Sequence, residues 1–368
     1  MSLFEYDRPA VREANRRDLG PLYEELPWVN PKTAEQAREE RQRLLEMLKN
    51  HAVFGFRGTK VDMRNLSPGC RLCGEGAWSC LFINGVCNGH CFYCPTEQKS
   101  RDVPMTGTLS FPEPREYIAY LEKFGFRGMS VSGGEPLLTL DRTLAFVTKI
   151  RRHFDTSLYI WLYTNGLLTN RENLGRLRDA GVDEVRFNIG AGNYRLEPVR
   201  EAVGIIPVVT VEIPAVPEKE DLLKEKILEM ARSGVTHLNL HQIRCTPYNG
   251  RQLLARNYTL LHGPRVAVLE SELTALRLLA GLREKGIDFP VNYCSSVYRS
   301  RFQTAGARRR NARLIRKPWE DITEAGLIRS FSVEGSPEYI GRIAGELEAD
   351  EAAPGSWTLS GKNRLLFS

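Results

Sequence analysis

Short β-rich runs alternate with helical patterns through the middle of the chain, and this alternation constrains the fold more than any other feature of the sequence. The runs typical of strands are Cys80–Val86, Gly128–Ser132, Leu158–Tyr163, Glu184–Ile189, Val208–Ile213 and His237–Ile243. The helical patterns are Pro114–Phe124, Leu140–His153, Arg171–Ala180, Tyr194–Ala202, Lys219–Arg232 and Glu270–Lys285. Such alternation indicates an α/β fold with parallel strands joined by helical crossovers. Six units make an incomplete version of the eight-unit TIM barrel, a partial (β/α)6 barrel that is open on one side and has its chemistry at the carboxyl ends of the strands.

Additional segments flank the predicted barrel. The chain divides into an N-terminal extension (1–68), a cysteine-rich metal-binding segment (69–80), the partial barrel (80–300) and a small C-terminal α+β unit (301–368). The extension contains a predicted helix over Thr33–Asn50, in which Thr33 and Gln36 have the spacing of a capping box. The run Phe289–Val297 is expected to flank the barrel opening, and the C-terminal unit is predicted as strand, helix and strand.

Composition and charge exclude several classes of protein. With 42% apolar and 26% charged residues, the chain is neither disordered nor fibrous. The formal charge of +6 is concentrated in Arg299–Lys317, which contains eight basic residues and no acid. This stretch is a solvated face or a patch for an acidic partner, rather than a coat for nucleic acid.

The first residues show no export signal, so we expect a cytoplasmic protein. The most apolar window, Ala202–Pro217, is too short and too interrupted by proline to cross a membrane.

The cysteines are crowded into one region. Six of the eight lie between Cys70 and Cys94, which in a chain without an export signal favours metal binding over disulfides. Cys87, Cys91 and Cys94 have the spacing C-x3-C-x2-C on a loop after the first predicted strand. Three thiolates can hold three irons of a [4Fe-4S] cube and leave the fourth iron open. A zinc knuckle is the alternative for this spacing.

A second motif follows the second predicted strand. Gly133, Gly134, Glu135 and Pro136 stand at its end. Two glycines let the backbone approach a bound molecule closely, and the glutamate offers an acceptor for an ammonium group.

The two motifs together, with Tyr93 just before the third cysteine, resemble the radical S-adenosylmethionine (SAM) superfamily over about Ser79 to Val297. The resemblance implies that Cys87, Cys91 and Cys94 hold a [4Fe-4S] cluster whose open iron is chelated by the amino and carboxylate groups of SAM. It implies that Gly133, Gly134 and Glu135 meet the methionine ammonium.

The resemblance extends less specifically to the later strand ends. Thr164 and Asn165 resemble the polar segment that approaches SAM, Asn188 and Glu212 resemble ribose and carboxylate contacts, and Leu240, His241 and Gln242 occupy the place of the adenine site. Alternatives from the residues alone are that the asparagines cap turns, that Glu212 pairs with a buried arginine and that His241 is a core histidine.

The implied reaction is reductive cleavage of SAM to methionine and a 5′-deoxyadenosyl radical, which abstracts hydrogen from an unactivated C–H bond. The electron would come from a low-potential donor such as a flavodoxin or ferredoxin. The protein's tasks are to place the substrate carbon and to exclude solvent.

A second metal site is predicted upstream. Cys70, Cys73 and Cys80 have a spacing suited to zinc, mononuclear iron or an auxiliary iron–sulfur cluster, with Cys294 or Cys245 as a fourth ligand, and Cys294 is preferred. The alternative is that these are unmetallated core cysteines. Cys245 lies just beyond the sixth predicted strand, at the reactive end, and is predicted to be a substrate-facing catalytic thiol.

The leading functional hypothesis is a radical SAM enzyme that modifies a peptide or protein. A glycyl-radical-enzyme activase is the nearest alternative, and C-methylation is a further one, although the chain has no D-x-H-x-x-G motif, so cobalamin would have to bind without its histidine. RNA modification, supported only by the basic stretch, and a non-enzymatic iron–sulfur module are the other classes considered.

Overall fold

The computed structural model describes residues 7–62, 66–100, 102–317, 319–349 and 357–367. The helices are α1 (Pro9–Leu19), α2 (Leu22–Glu25), α3 (Pro31–Leu48), α4 (Pro68–Gly74), α5 (Pro114–Lys123), α6 (Leu140–Phe154), α7 (Arg171–Ala180), α8 (Glu197–Ala202), α9 (Glu220–Arg232), α10 (Gly250–Leu254), α11 (Leu269–Glu284), α12 (Ala305–Ile315) and α13 (Pro337–Glu348). The strands are β1 (Val53–Gly55), β2 (Lys60–Asp62), β3 (Trp78–Phe82), β4 (Met105–Thr106), β5 (Leu109–Ser110), β6 (Gly128–Ser132), β7 (Tyr159–Thr164), β8 (Glu184–Phe187), β9 (Val208–Pro214), β10 (His237–His241), β11 (Leu260–Leu261), β12 (Ala267–Val268), β13 (Val291–Cys294), β14 (Glu320–Ile322), β15 (Ile328–Glu334), β16 (Trp357–Leu359) and β17 (Arg364–Phe367).

One large sheet organises the molecule in the order β1-β2-β13-β10-β9-β8-β7-β6-β3-β4-β5. Its centre is parallel from β13 to β3; Leu238 of β10, for example, pairs with Val211 of β9 and Val291 of β13. Antiparallel strands extend both edges, with β2 on β13 and β4 on β3. The predicted α/β partial barrel is therefore confirmed, and the run after α11 supplies a seventh parallel strand.

The two faces of the central sheet differ in chemistry because alternate side chains of a strand point to opposite sides. Val131, Leu162 and Val211 lie in the main apolar core, together with helix residues. The helix residues in that core include Leu121, Val147, Leu177, Leu223 and Leu276. The opposite face is polar, and Arg186 and Asn239 both bond to Glu212 there. The inner face of the partial barrel therefore presents hydrogen-bonding groups.

Helix α4 lies against the starts of the strands. A Cβ at Gly69 would overlap the Arg186 guanidinium and contact Glu184, and Leu72 lies against Gly128 at the start of β6. Ser67 caps this helix by accepting from the backbone N–H of Cys70 at 3.2 Å. The cysteine-rich segment thus covers the amino ends of the strands, opposite the loops that follow their carboxyl ends.

The structure corrects several predicted boundaries. The first strand ends at Phe82 rather than Val86, because the following residues bond to the β6–α6 connection instead of continuing the ladder. Helix α3 is capped by Asn30, whose side chain accepts from the N–H of Thr33, so the capping box at Thr33 was wrong. The basic stretch forms a π-helical segment over Tyr298–Thr304 and then helix α12.

The C-terminal unit is a four-stranded antiparallel sheet in the order β14-β15-β17-β16, with α13 between β15 and β16. The prediction for this unit was two strands and one helix, whereas the described residues form four strands around α13. Within the part of the chain that the structure describes, no helix has both the length and the apolar character needed to span a membrane.

Candidate active site

The loop after β3 carries Cys87, Cys91 and Cys94 to the carboxyl ends of the strands. There the three side chains line a cavity of about 340 Å³, termed here the cysteine cavity, whose other walls are the ends of β6 to β10. The predicted site residues on those walls are Tyr93, Gly133, Gly134, Glu135, Thr164, Asn165, Asn188, Glu212, His241 and Gln242. The structure therefore brings most of the predicted site together.

Each of the three sulfurs faces an N–H donor. Cys87 Sγ lies 3.3 Å from the backbone N of Gly89 and 3.5 Å from Asn165 Nδ2. Cys94 Sγ is 3.9 Å from Gln98 Nε2. N–H groups directed at sulfur stabilise thiolates and are among the groups that set the potential of an iron–sulfur cluster. This donor set fits a three-cysteine cluster.

The third sulfur, that of Cys91, lies near both the Asn188 amide and the Tyr93 hydroxyl. Asn188 Nδ2 lies 4.0 Å from Cys91 Sγ, and Tyr93 donates its hydroxyl hydrogen to Asn188 Oδ1 at 2.9 Å. Because the tyrosine donates to the amide oxygen, the amide nitrogen of Asn188 is the atom that faces Cys91. Tyr93 thus orients a cluster-facing amide.

The glycine pair serves the protein's own packing. A Cβ at Gly133 would overlap the carbonyl oxygen of Asn84, and a Cβ at Gly134 would overlap that of Val86. Both carbonyls belong to the loop that leads to the cluster cysteines, and Asn84 Oδ1 also accepts from the N–H of Gly134 at 3.1 Å. The close approach expected of these glycines is therefore made to the cysteine loop.

Glu135 fixes the end of the neighbouring strand. Its carboxylate accepts from Thr164 Oγ1 at 2.9 Å, from the N–H of Asn165 at 2.6 Å and from the N–H of Leu137 at 3.0 Å. A carboxylate can accept about four hydrogen bonds, so little capacity is left for a ligand ammonium. Burial raises the pKa of Glu135 in spite of these donors.

Glu212 and His241 belong to a buried charge network. Arg186 donates to Glu212 Oε2 at 2.8 Å and to Glu184 Oε1 at 2.8 Å, and His241 Nε2 lies 2.9 Å from Glu212 Oε1. Burial opposes ionisation of Glu212, but Arg186 and His241 outweigh it and hold the pKa of this carboxyl well below its ordinary value. Burial lowers the pKa of His241, although the neighbouring Glu212 opposes this shift. The pairing of Glu212 with a buried arginine is thus observed.

Three of the residues predicted for the reactive end lie outside the lining of the cysteine cavity. Leu240 points into the main apolar core, and Pro136 begins the turn after Glu135. Cys245 is buried in a separate apolar cluster with Leu22 and Leu253. Burial raises the pKa of Cys245 to about 12, which leaves it a thiol and a weak nucleophile at neutral pH. The structure therefore gives the predicted catalytic role of Cys245 no support.

Some cavity residues were not found by sequence reasoning. Gln98 lines the cavity and lies four residues after Cys94, so proximity to the motif is the signal that could have found it. Arg244 and Arg299 come from segments after β10 and β13, and only the folded chain brings them to the cavity.

The upstream cysteines separate into two environments. Cys70, Cys73 and Cys294 all interact electrostatically with Lys60, whose Nζ lies 3.1 Å from Cys294 Sγ and 2.9 Å from Asn292 Oδ1. Cys80 instead neighbours Ser130 and Ser132 on β6. Among the described residues, no three His, Cys, Asp or Glu side chains stand in a metal-holding arrangement as they are placed.

Comparisons with known proteins agree with this geometry. A sequence model of the radical SAM superfamily matches residues 81–212. A protein of Methanocaldococcus jannaschii is 30% identical over 299 residues, which cover 78% of each chain, and carries the provisional name glycyl-radical enzyme activating enzyme. The chain belongs to the radical SAM superfamily. It is therefore an enzyme of that family, whose members bind a [4Fe-4S] cluster and SAM.

Other similar proteins are less close in sequence. A GTP 3′,8-cyclase of Aliarcobacter butzleri is 29% identical over 198 residues, which cover 49% of this chain and 54% of the cyclase. The crystal structure of HydG, a maturase of the [FeFe]-hydrogenase, overlaps with a TM-score of 0.42 at 12% identity, covering 82% of this chain and 78% of that one.

Proposed function

We propose that this radical SAM enzyme abstracts hydrogen from a carbon of a peptide or protein, in the cytoplasm, with an electron from a flavodoxin or ferredoxin. When bound, the cluster and SAM supply a 5′-deoxyadenosyl radical by one-electron cleavage of a carbon–sulfur bond. The observation that carries the proposal is that three cysteines with N–H donors face the same cavity as the polar strand ends.

The chain's own residues have separate tasks in this proposal. Cys87, Cys91 and Cys94 hold the cluster, and Asn165, Asn188 and Gln98 donate toward its sulfurs. The strand ends at Thr164 and at His241 and Gln242 line the same cavity and would contact SAM there. The sheet does not close on itself, since its order begins at β1 and ends at β5, so a peptide has an open side by which to enter.

A glycyl-radical-enzyme activase is the specific form that the comparisons favour. The relative that bears this name is similar over most of both chains. An activase removes hydrogen from a glycine Cα of a partner protein, and that chemistry falls within the proposal.

Isotope transfer tests the substrate class. The reconstituted, reduced enzyme is incubated with SAM and with the protein fraction of its source cells grown on α-deuterated glycine, and the 5′-deoxyadenosine is analysed by mass spectrometry. If the enzyme is an activase, the 5′-deoxyadenosine contains deuterium after incubation with this protein fraction. It contains none after incubation with the protein fraction of cells grown on deuterated leucine. Deuterium arriving only from the small-molecule fraction of fully deuterated cells would reject a peptide or protein substrate.

The other classes have their own signatures. RNA modification predicts RNA binding that weakens steeply as salt is added. C-methylation predicts that added cobalamin is required for product. A non-enzymatic module predicts no cleavage of SAM by the reduced, cluster-loaded protein.

We further propose a second metal, zinc or iron, held by Cys70, Cys73 and Cys294 near Lys60. The neighbours of Cys80 do not support its predicted place among these ligands. Metal analysis of Cys70→Ala, Cys87→Ala and the control Cys245→Ala tests this. If the second site is an auxiliary cluster, Cys70→Ala and Cys87→Ala are each expected to lose part of the iron. If it is a zinc site, Cys70→Ala is expected to lose zinc. Unchanged metal in Cys70→Ala would show that these are unmetallated core cysteines.

A further inference from the structure

Two arginines line the cysteine cavity without partners. Neither Arg244 nor Arg299 forms an ion pair or a side-chain hydrogen bond with any residue that the structure describes, and both border the cavity. Arg244 Nε is fully buried and lacks a hydrogen-bond partner in the described structure. A buried donor that stays unpaired is costly, so a group that pairs with it on binding is expected.

The two cations lie close enough to repel each other. Burial and the charges of Arg299 and Arg265 lower the pKa of Arg244 to about 10, which still leaves it charged at neutral pH. Arg265 differs because it pairs with Asp18 at 3.4 Å on the surface. Two unpaired guanidinium groups with a free donor form a ready site for an anion.

Among the described residues that line the cavity, no carboxylate is free to neutralise them. Glu135 accepts from Thr164 and two backbone N–H groups, and Glu212 is engaged by Arg186, Asn239 and His241. Apart from the cluster cysteines, of which Cys94 faces Arg244, the described walls therefore offer these arginines no free negative group.

The position of the arginines separates them from the proposed methionine end of SAM. That end is assigned to the termini of β6 and β7, whereas Arg244 follows β10 and Arg299 follows β13. The adenosyl end, assigned to β10, carries the 5′ carbon that would abstract hydrogen from the substrate. A molecule held by these arginines would thus lie beside the reacting carbon.

We propose that Arg244 and Arg299 bind an anionic group of the substrate, a carboxylate or a phosphate. This inference rests on the proposed function for the place of SAM. In a peptide the group is an acidic side chain or a C-terminal carboxylate, and in a small molecule it is a phosphate. Bidentate pairing with guanidinium groups would fix the substrate's orientation over the cavity.

The test measures anion binding without turnover. Cluster-loaded, oxidised protein is saturated with SAM and titrated calorimetrically with glutarate and with inorganic pyrophosphate, which represent the two sources. Wild type is expected to bind at least one probe, and Arg244→Gln and Arg299→Gln are each expected to weaken it about tenfold or more. Arg313→Gln, an exposed arginine of α12, is the charge-matched control and is expected to bind as wild type does.

The two probes distinguish the two kinds of anion. Binding of glutarate alone assigns a carboxylate, and binding of pyrophosphate alone assigns a phosphate. Failure of wild type to bind either probe, or equal binding by both variants and wild type, overturns the proposal. A matching loss of SAM affinity in both variants also overturns it, since the arginines would then hold the SAM carboxylate. Formation of 5′-deoxyadenosine by the reduced wild type is recorded separately, so failure of the proposed function remains distinguishable.

Discussion

At the scale of single residues, the cluster cysteines are distinguished by the amides directed at them. Asn165 performs two tasks: its Nδ2 approaches Cys87 Sγ at 3.5 Å, and its Oδ1 accepts from the N–H of Leu167 at 2.9 Å. The turn-capping interpretation of this asparagine is observed, and the same side chain also faces a cysteine of the cavity. One side chain therefore connects the local backbone turn with the electrostatics of the cluster.

Replacing Asn165 with Asp is expected to lower the reduction potential of the cluster by about 40 mV or more. The change keeps the acceptor for Leu167 but removes an N–H that stabilises the reduced, more negative state, and a hydrogen bond of about 1 kcal/mol corresponds to roughly that potential. Redox titration followed by electron paramagnetic resonance measures the shift. Asn170→Asp is the matched control, because Asn170 is an exposed helix cap that Asp can replace. Equal potentials in the two variants would contradict the role of Asn165.

The three cysteines of the cavity could be predicted from the sequence, because their spacing is a local pattern within eight residues. Sequence reasoning could not assign the contacts of Glu135, since a carboxylate after a glycine pair is equally consistent with a ligand contact and with the backbone contacts that the structure shows. It could not place Arg244 beside Arg299, because they are far apart in the chain and meet only through the pairing of β10 with β13.

At the scale of elements, the β6–α6 connection acts as a support for the cysteine loop. Asn84 Nδ2 donates to the backbone carbonyl of Glu135 at 2.8 Å and to Thr139 Oγ1 at 2.9 Å. The backbone N–H of Glu135 donates to the Val86 carbonyl at 2.7 Å. These bonds replace the ladder that would have continued the first strand, which is why its end was predicted too late.

Gly134→Ala is expected to lower the free energy of unfolding by about 3 kcal/mol, because the added methyl group overlaps the backbone carbonyl of Val86 and forces the loop to move. The control is Gly175→Ala in helix α7, where nothing lies within 4 Å of the added Cβ. That change should raise stability by about 0.5–1 kcal/mol. Urea unfolding followed by circular dichroism compares the two, and equal stability would refute the packing explanation.

The pH dependence of Glu212→Gln tests the charge network between β8 and β9. The folded-state pKa of Glu212 lies below the unfolded value, so its contribution to stability is present above about pH 4.5 and is lost as the pH falls further. The substitution is expected to lower the free energy of unfolding by about 3 kcal/mol at pH 7 and by progressively less below pH 4.5. Urea unfolding of cluster-free protein measures this. The control is Glu334→Gln, which removes an exposed ion-pair partner of Arg364. It is expected to lower the free energy of unfolding by about 0–1 kcal/mol at every pH measured. A cost that does not change with pH would contradict the ionised pair.

At the scale of the whole molecule, the barrel has a structural end and a reactive end. Helix α4 covers the amino ends of the strands, and the cysteine loop occupies their carboxyl ends. This polarity was predictable, because a loop after a parallel strand must emerge at its carboxyl end. The strands of the antiparallel edges were not predicted, since β1, β2, β4 and β5 are only two or three residues long and carry little periodic signal.

The proposed chemistry requires that the three-cysteine loop holds an iron–sulfur cluster with an iron open to SAM. The most direct test is anaerobic reconstitution and reduction of wild type, Cys91→Ala and Cys245→Ala, followed by measurement of 5′-deoxyadenosine formed from SAM. Wild type and Cys245→Ala are predicted to form 5′-deoxyadenosine, and Cys91→Ala is predicted to form none. If Cys91→Ala formed 5′-deoxyadenosine at the rate of wild type, or if iron-loaded wild type formed none, the three-cysteine loop would not hold a SAM-cleaving cluster.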